Sequence, residues 1–266
     1  MDRKNGWRER WLKLVQNIER LDLPGDRFSL LVRLSNPDKP LILAFVNAHA
    51  MNLIVNSDSF FESICAADTV LRDGSGMETL FYQLNIQPGL NLNGTDLIPD
   101  VINQFNGRCI ALFGTRNPYL ANGAKFISNN LAPQSKYIMA DGFLECNAYI
   151  SMACEYHPAL IVLGMGMPQQ EKLAIALRSN LDFPCLIVCG GAIIDFFGGK
   201  TERAPLWIRR AGMEWLYRLR MEPRRLFKRY VIGNLIFLMR VIILSVVFQR
   251  LKEDVVGKFA QDSCSK

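Results

Sequence analysis

An aspartate in a glycine turn, two glycine-rich turns behind apolar runs, and a dense set of arginines are the parts of this sequence that could do chemistry. Asp73 stands in Arg72-Asp73-Gly74, directly after the strand-like run Thr69–Leu71. A carboxylate held there could take a proton from a hydroxyl as a general base, and it could equally be the Asp-Gly of a turn. The neighbouring Arg72 would lower its pKa and disfavour it as a base unless that side chain points away. The run Leu160-Ile161-Val162-Leu163 breaks into Gly164-Met165-Gly166-Met167-Pro168-Gln169-Gln170-Glu171, and Leu186-Ile187-Val188 breaks into Gly190-Gly191 ahead of Asp195. A strand that opens through glycines into a helix offers bare amides and a positive dipole end to a phosphate. Gln170 could hydrogen-bond sugar hydroxyls. Glu171 could join it or merely complement a helix start. Asp195 could hold the donors of a ribose or uracil, or cap a helix. Arg203, Arg218, Arg224 and Arg225 could clamp a diphosphate, because a guanidinium presents paired donors to phosphate oxygens.

These residues need a frame that brings them to one edge. Leu41–Val46 reads as a buried parallel strand, and short apolar runs recur at Thr69–Leu71, Cys109–Phe113, Tyr137–Met139, Leu160–Leu163 and Leu186–Val188, alternating with helical patterns. That rhythm predicts an α/β fold, a Rossmann-like parallel sheet with helices on both faces, over residues 1–200. Ligands of such sheets sit beyond the carboxyl ends of the strands. Asn47, Asp73, Gly114 with Thr115, Asp141 with Gly142, Gly164 and Gly190 all fall there. An amphipathic helix is expected over Gly6–Leu21, and a basic, amphipathic helical appendage over residues 201–266.

Charge separates the two parts. Residues 200–266 carry 15 Lys and Arg against 6 Asp and Glu, whereas residues 1–199 carry 16 against 19. A basic tail on a mildly acidic body points to nucleic acid, an anionic membrane or a phosphorylated substrate. Aromatic residues are not interleaved with the arginines as a base-stacking platform requires, which argues against nucleic acid. Val231–Phe248 is apolar apart from Gly233, Asn234, Arg240 and Ser245. It spans roughly 27 Å as a helix, and Arg240 near its centre suits a helix lying in a membrane interface better than one crossing it. The seven cysteines, Cys264 among them, form no C-x-x-C pair and read as buried, reduced thiols of a cytoplasmic protein. With no Asp-x-Asp and only His49 and His157, no metal site is expected, and no cofactor either. Gly164-x-Gly166 lacks the third glycine of a dinucleotide fingerprint, and no Walker A or Gly-x-Ser-x-Gly pattern occurs.

Taken in order, Gly166-x-Pro168-x-Gln170-Glu171, Gly190-Gly191-x-x-x-Asp195-x-Phe197-x-Gly199, Arg203-Ala204-Pro205 and Gly212-x-Glu214-Trp215-Leu216-x-Arg218-Leu219 resemble the WecG/TagA/CpsF glycosyltransferases (glycosyltransferase family 26). The resemblance runs from about Leu41 to about Asn234. It implies an inverting enzyme on the inner face of the bacterial plasma membrane. Such an enzyme moves a hexose-type sugar from a UDP-sugar to a sugar on a polyprenyl diphosphate, in surface or exopolysaccharide synthesis. By the same resemblance Asp73 is the base, and the loops at Gly114-Thr115 and Asp141-Gly142 lie around nucleotide or sugar. Two positions depart from the pattern. Relatives often carry Ala-Asp-Gly where this chain has Arg72-Asp73-Gly74, and Pro-Lys-Gln-Glu where Gln169 removes a positive charge. A non-catalytic nucleotide-sugar or lipid-binding component of such a pathway is the alternative, and the sugar, the linkage and any homo-oligomer stay open.

Overall fold

The computed structural model of the chain describes residues 6–210 and 212–247. Its centre is a six-stranded sheet built from β1 (Leu41–Val46), β2 (Thr69–Arg72), β3 (Cys109–Gly114), β4 (Lys136–Ala140), β5 (Leu160–Gly164) and β6 (Leu186–Cys189). The strands run in the order β2-β1-β6-β5-β3-β4, and every pairing is parallel. The continuous apolar strands are explained by burial on both faces. Along β1, Ile42, Ala44 and Val46 enter one core layer while Leu43 and Phe45 enter the other.

The helices divide between those layers. One core gathers α1 (Gly6–Asn17), α3 (Ala48–Leu53), α4 (Asp58–Cys65), α5 (Ser75–Gln83), α8 (Cys146–Tyr156) and α9 (Gln169–Asn180). The other gathers α2 (Pro24–Ser35), α6 (Gly94–Gln104), α7 (Tyr119–Asn130) and α10 (Ile193–Phe197). Neighbouring strands β5 and β6 thus send their helices to opposite faces, which opens a crevice at their carboxyl ends. Two short helices, α11 (Leu206–Arg210) and α12 (Glu214–Met221), then precede a helix over Pro223–Val247.

The Rossmann-like parallel sheet expected from the sequence is present, with strand bounds shifted by a residue or so. Helices α2 and α5 were not anticipated. The glycine-rich Asp73–Met77 stretch read as a loop, yet Ser75 already begins a helix. The cysteines need a correction. All six described are free, but only Cys185 and Cys189 are buried, and Cys146 and Cys154 lie exposed on α8. Cys264 lies outside the described residues, as does the end of the expected appendage from Phe248 onward.

The C-terminal helix is two-faced. Phe237, Val241 and Leu244 are buried in the first core, and the Phe237 ring lies 5.3 Å from that of Trp11. Its opposite side leaves Leu235, Leu238, Met239, Ile242, Ile243 and Val246 exposed. Arg240 does not face that side, for it donates to Asn52 Oδ1 at 2.7 Å. Because Phe237 is 1% exposed, Phe237→Ala is predicted to destabilise the protein by about 3–5 kcal/mol. Urea denaturation measures this, and a loss below about 1 kcal/mol would mean the helix is not part of the core.

Candidate active site

Asp73 follows β2 directly, and its amide donates to Val46 O at 2.7 Å, which ties it to the end of β1. Asn47, at the end of β1, caps α3 by accepting at Oδ1 from the His49 and Ala50 amides, both at 3.1 Å. With its oxygen so committed, the Asn47 amide nitrogen turns to Asp73 Oδ2 at 3.4 Å. Arg72 points away. Its Nε and Nη2 donate to the Pro88 and Gly89 carbonyls, each at 2.7 Å. The departure that threatened the base is therefore neutralised by geometry. Burial pushes the Asp73 carboxyl above the ordinary carboxylate range, against the bond from Asn47 and the charges of Arg229 and Arg218. A carboxylate raised in this way is better matched to taking a proton near neutral pH.

Arginines from the C-terminal segment lie near this aspartate and near Asp96. Arg203 and Arg209 both bond to Asp96 Oδ1 near the start of α6. Burial would raise the Asp96 carboxyl, but the Arg203 and Asn93 bonds and the Arg203 and Arg209 charges bring it below its ordinary value. Arg218 lies over the Phe196 ring at 5.2 Å. Arg229 occupies a π-helical turn, Lys228–Ile232, of the kind often found at functional sites. Glu214 shares the environment of Asp73, Arg203, Arg218 and Arg209, and burial raises its carboxyl. His49 is held neutral, its pKa lowered to about 4 by burial and by Arg229. The Nε atoms of Arg203, Arg209, Arg218 and Arg229 are all buried without a hydrogen-bond partner. Buried guanidinium donors without partners are able to bind an anion.

The glycine turns sort into two kinds. At Gly114, Gly142, Gly164 and Gly190 the missing side chain makes room for neighbouring atoms. A Cβ on Gly114 would lie 2.5 Å from the Gly164 carbonyl, and one on Gly142 would lie 2.7 Å from the Thr115 amide. Gly166 and Gly191 instead have φ of +79° and +62° with open space around them. Their amides are not bare, contrary to the expectation from sequence. Gln170 Oε1 accepts from Gly166 N–H at 3.2 Å and from Gly191 N–H at 2.9 Å. Gln170 is 1% exposed and donates to Glu171 Oε1 at 2.8 Å, so its side chain stitches the two turns together beneath the rim. Glu171 is buried with Oε2 unpartnered, and burial pushes its pKa up to about 7.

On the other side of the crevice, Thr115 sits in the left-handed region at φ +46°. Its hydroxyl bonds Asp195 Oδ1, which also receives Lys200 Nζ at 3.1 Å. Asp141 Oδ1 accepts from the Phe143 amide at 3.0 Å, the pattern of an Asx-turn. Of the arginines expected to hold diphosphate, Arg203 and Arg218 reach the Asp73 group. Arg225 pairs with Glu222 and feels the charge of Asp195, and Arg224 is exposed. Asp96, Glu214, Arg209, Arg229 and His49 were missed as site residues. Asp96 and Glu214 stand at helix starts rather than strand ends, and Arg229 lies in a π-helical turn that ordinary helical spacing does not describe.

Two consequences are measurable. Asp73→Asn is predicted to lower turnover by about 10²–10⁴-fold with nucleotide affinity nearly unchanged, and retention of more than about a tenth of the rate would make Asp73 a turn residue. Glu171 has a folded pKa of about 7 against 4.5 for the free group, so its ionisation costs the folded state. Stability from this group is full below about pH 4.5 and is lost as pH rises through about 7. Glu171→Gln is therefore predicted to gain stability over the wild type as pH goes from 5 to 8, by up to about 3 kcal/mol. Urea denaturation at both pH values tests this; a gap that does not widen with pH would place Glu171 in a polar environment.

Comparison with known proteins gives this arrangement its context. An N-acetylglucosaminyldiphosphoundecaprenol N-acetyl-β-D-mannosaminyltransferase of Staphylococcus aureus (strain MW2) is 22% identical over 219 residues, covering 81% of both chains. One of the same name from Bacillus subtilis (strain 168) is 23% identical over 188 residues, 69% of this chain and 73% of that protein. By their names, these relatives transfer a sugar to N-acetylglucosamine carried on undecaprenyl diphosphate. Residues 16–252 match the glycosyl transferase WecG/TagA/CpsF family as a whole, and the chain belongs to that family.

Proposed function

We propose that the protein is an inverting hexosyltransferase that uses a UDP-sugar and a polyprenyl-diphosphate-linked sugar. The observation that carries this reading is an Asp73 carboxyl at the end of β2, raised by burial and close enough to feel the charges of Arg229 and Arg218, whose Nε atoms lack partners. Asp73 takes the proton of the acceptor hydroxyl as its oxygen bonds to the anomeric carbon of the donor. The bond from that carbon to the β-phosphate oxygen breaks, and its electron pair leaves with UDP. Thr115, Asp195 and the loops at Gly114, Asp141, Gly164 and Gly190 form the donor side, and Gln170 holds two of those loops in register. Arg218 and Arg229, whose charges reach Asp73, meet the charge that leaves with UDP, and Arg203 and Arg209 hold the diphosphate of the lipid acceptor.

The direct test is a panel of UDP-sugars with a short-chain prenyl-diphosphate N-acetylglucosamine, reading released UDP and extended lipid, with and without chelator. Transfer that survives chelation is expected, since the sequence has no Asp-x-Asp. UDP binding without transfer for any sugar would favour a non-catalytic component of the pathway.

The exposed apolar side of Pro223–Val247 is proposed to lie in the inner leaflet. The helix is long and apolar enough to cross a membrane, but Phe237, Val241 and Leu244 commit one side of it to the protein core. Lys228 and Arg224 stand exposed just before the apolar side, where each adds on the order of 1 kcal/mol at an anionic surface. Replacing Leu235, Met239 and Ile242 with Ser is predicted to abolish flotation with anionic vesicles while urea stability holds, and high salt should release only part of the wild type. Full release of the wild type by salt would contradict apolar anchoring.

A further inference from the structure

Asp96 makes more contacts than a helix start requires. Its amide donates to Asn93 Oδ1 at 2.9 Å, and its Oδ2 accepts from Asn93 Nδ2 at 2.7 Å, which together complete the cap of α6. Its carbonyl accepts from Arg27 Nη2 at 3.2 Å, and Arg27 also bonds Asp100 on the next turn of α6. The remaining oxygen, Oδ1, receives both Arg203 Nη2 and, at 3.5 Å, Arg209 Nη1. Those two arginines come from different places, the loop after α10 and helix α11. The capping job is complete without them.

We infer that Asp96 is a positioning residue whose Oδ1 seats Arg203 and Arg209 so that the unoccupied edges of their guanidinium groups are left for the diphosphate of the lipid acceptor. The inference rests on the proposed function for the identity of that anion. Its physical logic has two parts. Two arginines brought together with no bound anion repel each other, and one carboxylate oxygen shared between them offsets that repulsion. Each guanidinium also presents donors on more than one edge. Asp96 takes one Nη of each, and the Nε of both arginines remains buried and unpartnered. A bidentate anion then finds donors that are already aimed, and little further ordering is needed on binding.

The test compares Asp96→Asn, Asp96→Glu and Arg203→Ala in the full-length protein. Asparagine keeps an oxygen for Asn93 and leaves the Asn93-to-backbone cap intact, so it removes the charge with little change in shape. Asp96→Asn is expected to raise KM for the short-chain prenyl-diphosphate sugar about ten- to a hundred-fold, with UDP affinity and urea stability near wild type. Asp96→Glu should recover much of the loss. Hydrogen exchange over residues 203–210 should quicken in Asp96→Asn while the strands stay protected, a change readable even without turnover. If Arg203→Ala raises acceptor KM and Asp96→Asn changes neither KM nor exchange, the positioning role is wrong and the clamp stands. If Arg203→Ala itself leaves acceptor KM unchanged, the reading of the anion as the acceptor diphosphate fails.

Discussion

The rim of this protein depends on a balance between arginines and half-buried carboxylates. Arg203, Arg209, Arg218 and Arg229 converge where Asp73, Asp96 and Glu214 already sit. Like charges this close are costly in a half-buried place, and the carboxylates offset part of that cost. They do so unequally. Asp96 is directly bonded and held low, whereas Asp73 and Glu214 are raised by burial. Environments that push carboxylates apart in this way separate structural from chemical roles. Here Asp96 holds the arginines and Asp73 is free to accept a proton.

Beneath the charges the floor is made by contact. Backbones approach so closely at Gly114 and Gly142 that no side chain fits, the Ile194 side chain takes the space beside Gly164, and Gln170 locks the Gly166 and Gly191 turns from below. With the Gly166 and Gly191 amides already bonded, the proposed mechanism leaves the leaving-group charge to side chains of the C-terminal segment. The same segment continues into the helix that packs Phe237 on Trp11, so the rim and the proposed membrane face are mechanically linked.

Much of the frame was legible in the sequence because parallel strands buried on both faces are uninterrupted apolar runs, as in Leu41–Val46 and Leu160–Gly164. Helix α5 was hidden because Gly74 and Gly76 read as a loop, although Gly74 only precedes the helix. Asp73 was found from its place after a strand, and the direction of Arg72 could not be, since it is set by the distant carbonyls of Pro88 and Gly89. The glycines were visible as turns, but that Gln170 fills the amides of two of them is a tertiary fact. That Arg229 comes near Asp73 and His49 was not legible, because the π-helical turn at Lys228–Ile232 departs from ordinary helical spacing.

The central claim is that Asp73 works as a base because burial outweighs the arginines around it. The pH dependence of kcat/KM tests it most directly, since its acid limb reports the base in the free enzyme. The rate is expected to fall as pH drops through a midpoint above the ordinary carboxylate range. That limb should persist in Glu171→Gln and in Glu214→Gln, which remove the other raised carboxyls. A midpoint at or below the ordinary range, or a limb that vanishes with Glu171 or Glu214, would contradict it.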